Sequence, residues 1–290
     1  MNKLLILLFA ALAAASEELG PQKVIWMDPV RDVQMRPRAV DSRLLDVDGG
    51  RPADDGDVAY QAGILANHGV FCSGSLITES AILTIAHCVD GRNVWEIYLG
   101  KVQLVPSDGD PDLKRHVIFS NHGIVHEQYD AWSNTNAVAI IRLPGPVTFS
   151  KYIKPILLPK LSQIQEWQQR SGPNNITGWG IATRGEMNPE DRLKVIITNI
   201  ISNDDCGKVY GASIIHESML CFEQRNTSPA SCYGDAGAPI VVEDNVHNVQ
   251  IGIVLYGSRQ QCSDKLPGMA IRTAPFVEWI ASHGGPAVRP

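Results

Sequence analysis

The chain is predicted to be all-β, and three observations lead there. Apolar runs of strand length recur between turn residues, as in Val138 to Leu143, Leu193 to Ile201 and Gln250 to Tyr256. Long helical periodicity is absent, and only the tail Phe276-Val277-Glu278-Trp279-Ile280 has the pattern of a short closing helix. The third observation is six cysteines behind an N-terminal apolar run, which points to a disulfide-bonded domain in an oxidising compartment. Pattern alone leaves sandwich and barrel both open.

The elements follow in order. Met1-Asn2-Lys3 and the apolar run from Leu4 to Ala15 have the form of a secretory signal, with Ala13-Ala14-Ala15 as the small residues needed for cleavage. A membrane anchor would need about 20 apolar residues, and Ser16-Glu17-Glu18 arrive too soon. Residues 1–15 are therefore assigned to a signal peptide and 16–46 to a polar, proline-containing leader without cysteines. The leader is expected to be disordered, with a short partner-binding segment at Val24-Ile25-Trp26-Met27 as the alternative. Leu76 to Thr84 begins the series of strands, and Ile251, Ile253 and Val254 are expected in the core. The formal net charge of −6 provides no footprint for nucleic acid or an anionic membrane surface.

Six short motifs then narrow the fold. They are Val47-Asp48-Gly49-Gly50, Cys72-Ser73-Gly74-Ser75-Leu76-Ile77, Thr84-Ile85-Ala86-His87-Cys88, Thr177-Gly178-Trp179-Gly180, Cys232-Tyr233-Gly234-Asp235-Ala236-Gly237-Ala238-Pro239, and Pro267-Gly268 followed by Trp279-Ile280. In this order and at these intervals they resemble the trypsin-like serine proteases. The resemblance implies two six-stranded β-barrels with a cleft between them, over residues 47–283. It also implies the pairings Cys72 with Cys88, Cys206 with Cys221, and Cys232 with Cys262.

The resemblance fails where the chemistry should be. The family's base position is His87, but its orienting aspartate falls on Ala137 and its nucleophilic serine on Ala236. A methyl group can neither attack a carbonyl nor hold an imidazole in place. Asn136 is expected to point to the other strand face, and Asp130 to lie in a loop. Leu255 stands where a family serine supports the buried carboxylate, so an apolar replacement of the whole polar network is expected. The oxyanion-hole remnant is Gly234 with Ala236. The specificity-pocket remnant is Ala230 at the base, with Tyr256, Gly257 and Gly268 around it, which would suit an apolar side chain. Asp46 precedes Val47, and a cut after Arg43 would leave the new amine on Leu44, three residues before Val47 and out of register with it. Asp235 is therefore expected to lack the amine that pairs with it in the family.

The implied protein is a secreted, catalytically inactive homologue of these proteases, of a kind common among insects. It would act by binding extracellular proteases, inhibitors or other secreted proteins, as a regulator, cofactor or adaptor. Recognition of a glycan or cell surface, and weak residual hydrolysis using His87, are the alternatives. No cofactor, nucleic acid, membrane span or metal is expected. Asp108, Asp110 and Asp112 alternate like a calcium loop but lack its glycine and closing glutamate. Asn175-Ile176-Thr177 and Asn226-Thr227-Ser228 have the form of glycosylation acceptors, Asn226 being the more favourably placed.

Overall fold

The structure is a computed structural model. It describes residues 25–26, 51–67, 69–103, 117–163, 165–166, 172–179, 192–224, 235–244, 247–256 and 266–290. The first sheet is built from β1 (Ile25–Trp26), β3 (Gln61–Ala66), β4 (Val70–Thr78), β5 (Ala81–Ile85), β6 (Trp95–Leu99), β7 (Val117–Ser120), β8 (His122–Val125) and β9 (Val138–Arg142), with β2 (Arg51–Pro52) going to the second sheet. Its path runs β7-β6-β3-β4-β5-β9-β8. Only Asn121 separates β7 from β8, so the two are one bent strand that pairs with β6 at one end and β9 at the other. That strand closes the sheet, and the expected six-stranded barrel results.

The second barrel follows the same plan. It comprises β10 (Gly172–Gly178), β11 (Lys194–Ile201), β12 (Met219–Gln224), β13 (Pro239–Asp244), β14 (His247–Tyr256) and β15 (Gly268–Arg272). Their order is β10-β13-β14-β15-β12-β11, a β10–β11 ladder completes the circle, and β2 adds to the edge of β11. The run Leu76 to Thr84 is not one strand. It crosses from β4 into β5 through a turn at Glu79-Ser80, where the polar Thr78-Glu79-Ser80 interrupts the apolar residues. β1 pairs in parallel with Val70 and Phe71 of β4, so part of the leader is strand rather than wholly irregular.

Alternation explains the individual strands. In β6, Trp95, Ile97 and Leu99 are buried while Glu96 and Tyr98 are partly exposed, the period of a strand with one face inward. β5 and most of β9 are buried throughout, as expected between neighbours on both edges and another barrel behind. Each large side chain fully buried here stabilises the fold by about 1.5–3 kcal/mol relative to exposure. Ile251, Ile253 and Val254 are all buried, as expected.

Two buried side-chain bonds stitch the barrels together. Ser75 Oγ donates to Gln250 Oε1 at 2.6 Å, and Thr177 Oγ1 to Gln61 Oε1 at 2.6 Å. Helix α1 (Asn203–Tyr210) is capped by Ser202, whose Oγ accepts from the Asp205 amide, and the Cys206–Cys221 disulfide ties it to β12. Helix α2 (Val277–Ser282) follows a short turn at Ala274–Phe276 and docks on the first barrel. The Trp279 indole stacks on His283 with ring centroids 4.5 Å apart and donates to Glu127 Oε2 at 2.9 Å. Among the described residues no helix is long and apolar enough to cross a membrane.

Candidate functional site

His87 lies in a single 3-10 turn, Ala86–Cys88, directly after β5. The turn is held from several sides. Cys88 is bonded to Cys72 of β4, the Trp95 indole donates to the Cys88 carbonyl at 3.1 Å, and the amides of Val89 and Asp90 return to the Ala86 carbonyl. Arg92 folds back over the turn, and its Nη1 donates to the carbonyls of His87 at 2.7 Å and Asp90 at 2.9 Å. No hydrogen bond reaches the imidazole among the described residues. Burial, with the Arg92 charge as a smaller second cause, pushes its pKa from 6.5 down to about 4. The ring is therefore neutral at physiological pH.

Ala137 sits beside it. Its carbonyl accepts from the Ala86 amide at 3.2 Å, one residue ahead of the Val138–Ile85 pair where β9 joins β5. Both Ala137 and Leu255 are fully buried in the core cluster that spans the barrels. Neither nearby polar side chain supplies a carboxylate to His87. Asp130 is committed to its own loop, accepting from the Trp132 amide at 2.9 Å and from Ser133 Oγ at 2.7 Å. Asn136 lies outside β9 with φ of 52°, and its Nδ2 donates to the Gln128 carbonyl at 3.0 Å. Strand alternation was thus the wrong reason for setting Asn136 aside; a left-handed turn directs it.

Ala236 closes the group. Its carbonyl accepts from the Ser73 amide at 2.8 Å and lies 3.9 Å from Cys88 Sγ, a contact rather than a hydrogen bond because the disulfide sulfur has no proton. Gly237 makes this approach possible. Its φ is +86°, and a Cβ there would stand 2.2 Å from the Ser73 carbonyl oxygen and 2.3 Å from Thr84 Oγ1. Asp235 is fully buried, and its Oδ1 faces Gly178, where a Cβ would come within 1.9 Å.

The structure therefore brings His87, Ala137 and Ala236 to one point between the barrels, and a single titratable group stands among the three. Tyr256 ends β14 opposite Met269, just after a bulge that follows Val254. Gly268 packs against Phe222, whose ring would lie 2.2 Å from an added Cβ. Gly234, Ala230, Gly257, Cys232, Cys262, Asn226, Val47 and the aspartates 108, 110 and 112 lie outside the described residues. Two of the expected disulfides form, Cys72–Cys88 and Cys206–Cys221. No cluster of metal-binding side chains occurs among the described residues. Sequence reasoning missed Arg92. The only available signal was a cation five residues beyond His87, close enough for a turn to carry it back.

Comparison with known proteins agrees with this geometry. The Trypsin family model matches residues 47–280, and the chain belongs to the trypsin family. It is 30% identical to brachyurin of Leptuca pugilator over 240 residues, which cover 82% of this chain and 98% of that protein. Chymotrypsin of Phaedon cochleariae is 28% identical, with 96% and 95% covered. The solved structure of HL collagenase superposes with a TM-score of 0.69 at 28% identity, covering 82% of this chain and 98% of the other.

Proposed function

We propose that this chain is a secreted serine protease homologue without proteolytic activity, acting by protein binding as a regulator, cofactor or adaptor. Its setting would be an extracellular network, such as an immune protease cascade or a reproductive fluid. The observation that carries the reading is the convergence of Ala137 and Ala236 on His87 in a trypsin frame. Acyl transfer needs a hydroxyl at one of these positions and a carboxylate at the other, and both are methyl groups. The apolar surroundings of Ala137 and Leu255 support the same reading, since a frame selected for turnover keeps those positions polar. The relatives named above are proteases by name; this chain keeps their scaffold and departs at the reacting atoms.

Binding then accounts for the retained frame, and His87 is no longer needed as a base. A His87→Ala protein should co-purify the same extracellular partners from the native fluid as the unaltered protein, in the same amounts. Loss of biological function on that substitution, with partner binding intact, would support the hydrolytic reading instead.

A further inference from the structure

Asn175 stands in the middle of β10, between β11 and β13, opposite Ile197 on one side and Val241 on the other. It belongs to the sequence Asn175-Ile176-Thr177, whose other two members are fully buried. Its neighbour Asn174 is also buried and committed, exchanging hydrogen bonds with the side chain and carbonyl of Thr198. Asn175 differs from all three. It is only partly buried, and its carboxamide makes no hydrogen bond among the described residues. Ile197, directly across the ladder, is 52% exposed, an apolar side chain facing water from the interior of a strand.

We infer that Asn175 carries an N-linked glycan whose first sugar lies over Ile197. This rests on the secretory reading above, because the sugar donor is confined to the secretory lumen. In the transfer, Asn175 Nδ2 bonds to C1 of an N-acetylglucosamine held on a polyisoprenyl diphosphate. The C1–O bond breaks, the lipid diphosphate departs with the electron pair, and the amide loses one proton to a base of the transferase. The order of events follows from the fold. Thr177 Oγ1 is buried against Gln61 Oε1 at 2.6 Å, so the acceptor sequence can be read only before the strand pairs. Once folded, the outward carboxamide leaves room for the glycan, and the sugar's apolar face covers Ile197. Sequence alone placed Asn226, which lies outside the described residues, ahead of Asn175 because of the strand context of Asn175.

The test uses the full chain secreted by a eukaryotic host. Material from the medium is treated with an amidase that releases N-glycans in ¹⁸O water, and the tryptic peptide 171–184 is weighed and sequenced. Asn175 should appear as ¹⁸O-labelled aspartate, and Asn175→Gln and Thr177→Val should each abolish the label. A secreted protein in which that peptide is mainly unmodified overturns the site while leaving secretion intact. A chain that never leaves the cell overturns both. For the covering role, secreted Asn175→Gln should bind more of a hydrophobic dye, and adding Ile197→Thr should return the signal to the unaltered level. No rise in dye binding overturns that part.

Discussion

Replacing His87 with glutamine removes the titratable side chain that stands with Ala137 and Ala236 while keeping a polar group of similar reach. Burial is the larger reason the imidazole resists protonation, and the Arg92 charge is the smaller. In the unfolded chain the same ring takes up a proton near pH 6.5. The drop to about 4 on folding means that the folded state loses stability as pH falls from 6.5 to 4, and that nothing is lost above 6.5. The full difference corresponds to about 3 kcal/mol. Urea unfolding of the wild type and His87→Gln between pH 7.5 and 4 should show this directly. The curves should run parallel above pH 6.5 and separate below it, the wild type falling behind by up to about 3 kcal/mol. Other histidines are common to both proteins and cancel. Curves that stay parallel down to pH 4, or a wild type that gains stability on acidification, would refute the neutral, partly buried imidazole. Adding Arg92→Gln should narrow the separation without abolishing it.

Two further substitutions probe the packing around the site. Gly237→Ala puts a methyl group into the Ser73 carbonyl at a left-handed backbone position, and should cost about 2–4 kcal/mol in urea unfolding; a cost under half a kcal/mol would contradict the close approach of the barrels. Ala137→Asp buries a carboxylate in a cluster that includes Leu255, and should cost about 1–3 kcal/mol, part of it recovered by Leu255→Ser. Equal stability for the single and double variants would show that Leu255 is not what replaced the polar support.

Much of the fold was legible because the motifs are short-range. His87-Cys88, Gly178-Trp179 and Gly237 each reflect a local demand: a turn beside a disulfide, a buried indole, a backbone with no room for a side chain. Ala137 and Ala236 could be placed for the same reason, since each is flanked by a recognisable strand or turn. What escaped depends on backbone geometry rather than residue type. The turn at Glu79-Ser80 and the bend at Asn121 show in the sequence only as short polar interruptions, and strand pairing decides that the first separates two strands while the second bends one. The capping of the Asp130 loop and the return of Arg92 to the His87 carbonyl are hydrogen bonds between residues that hydropathy does not link. Nor does a strand position by itself mean burial: Asn175, within β10, is only partly buried.

The central claim is that no group at this site can form an acyl-enzyme. The purified secreted protein should be incubated with a fluorophosphonate that labels reactive serines, and in parallel with a panel of peptide esters, alongside His87→Ala and an active trypsin. The account predicts no label on this chain and ester cleavage no faster than with His87→Ala. Stoichiometric labelling, or turnover that His87→Ala abolishes, would contradict it.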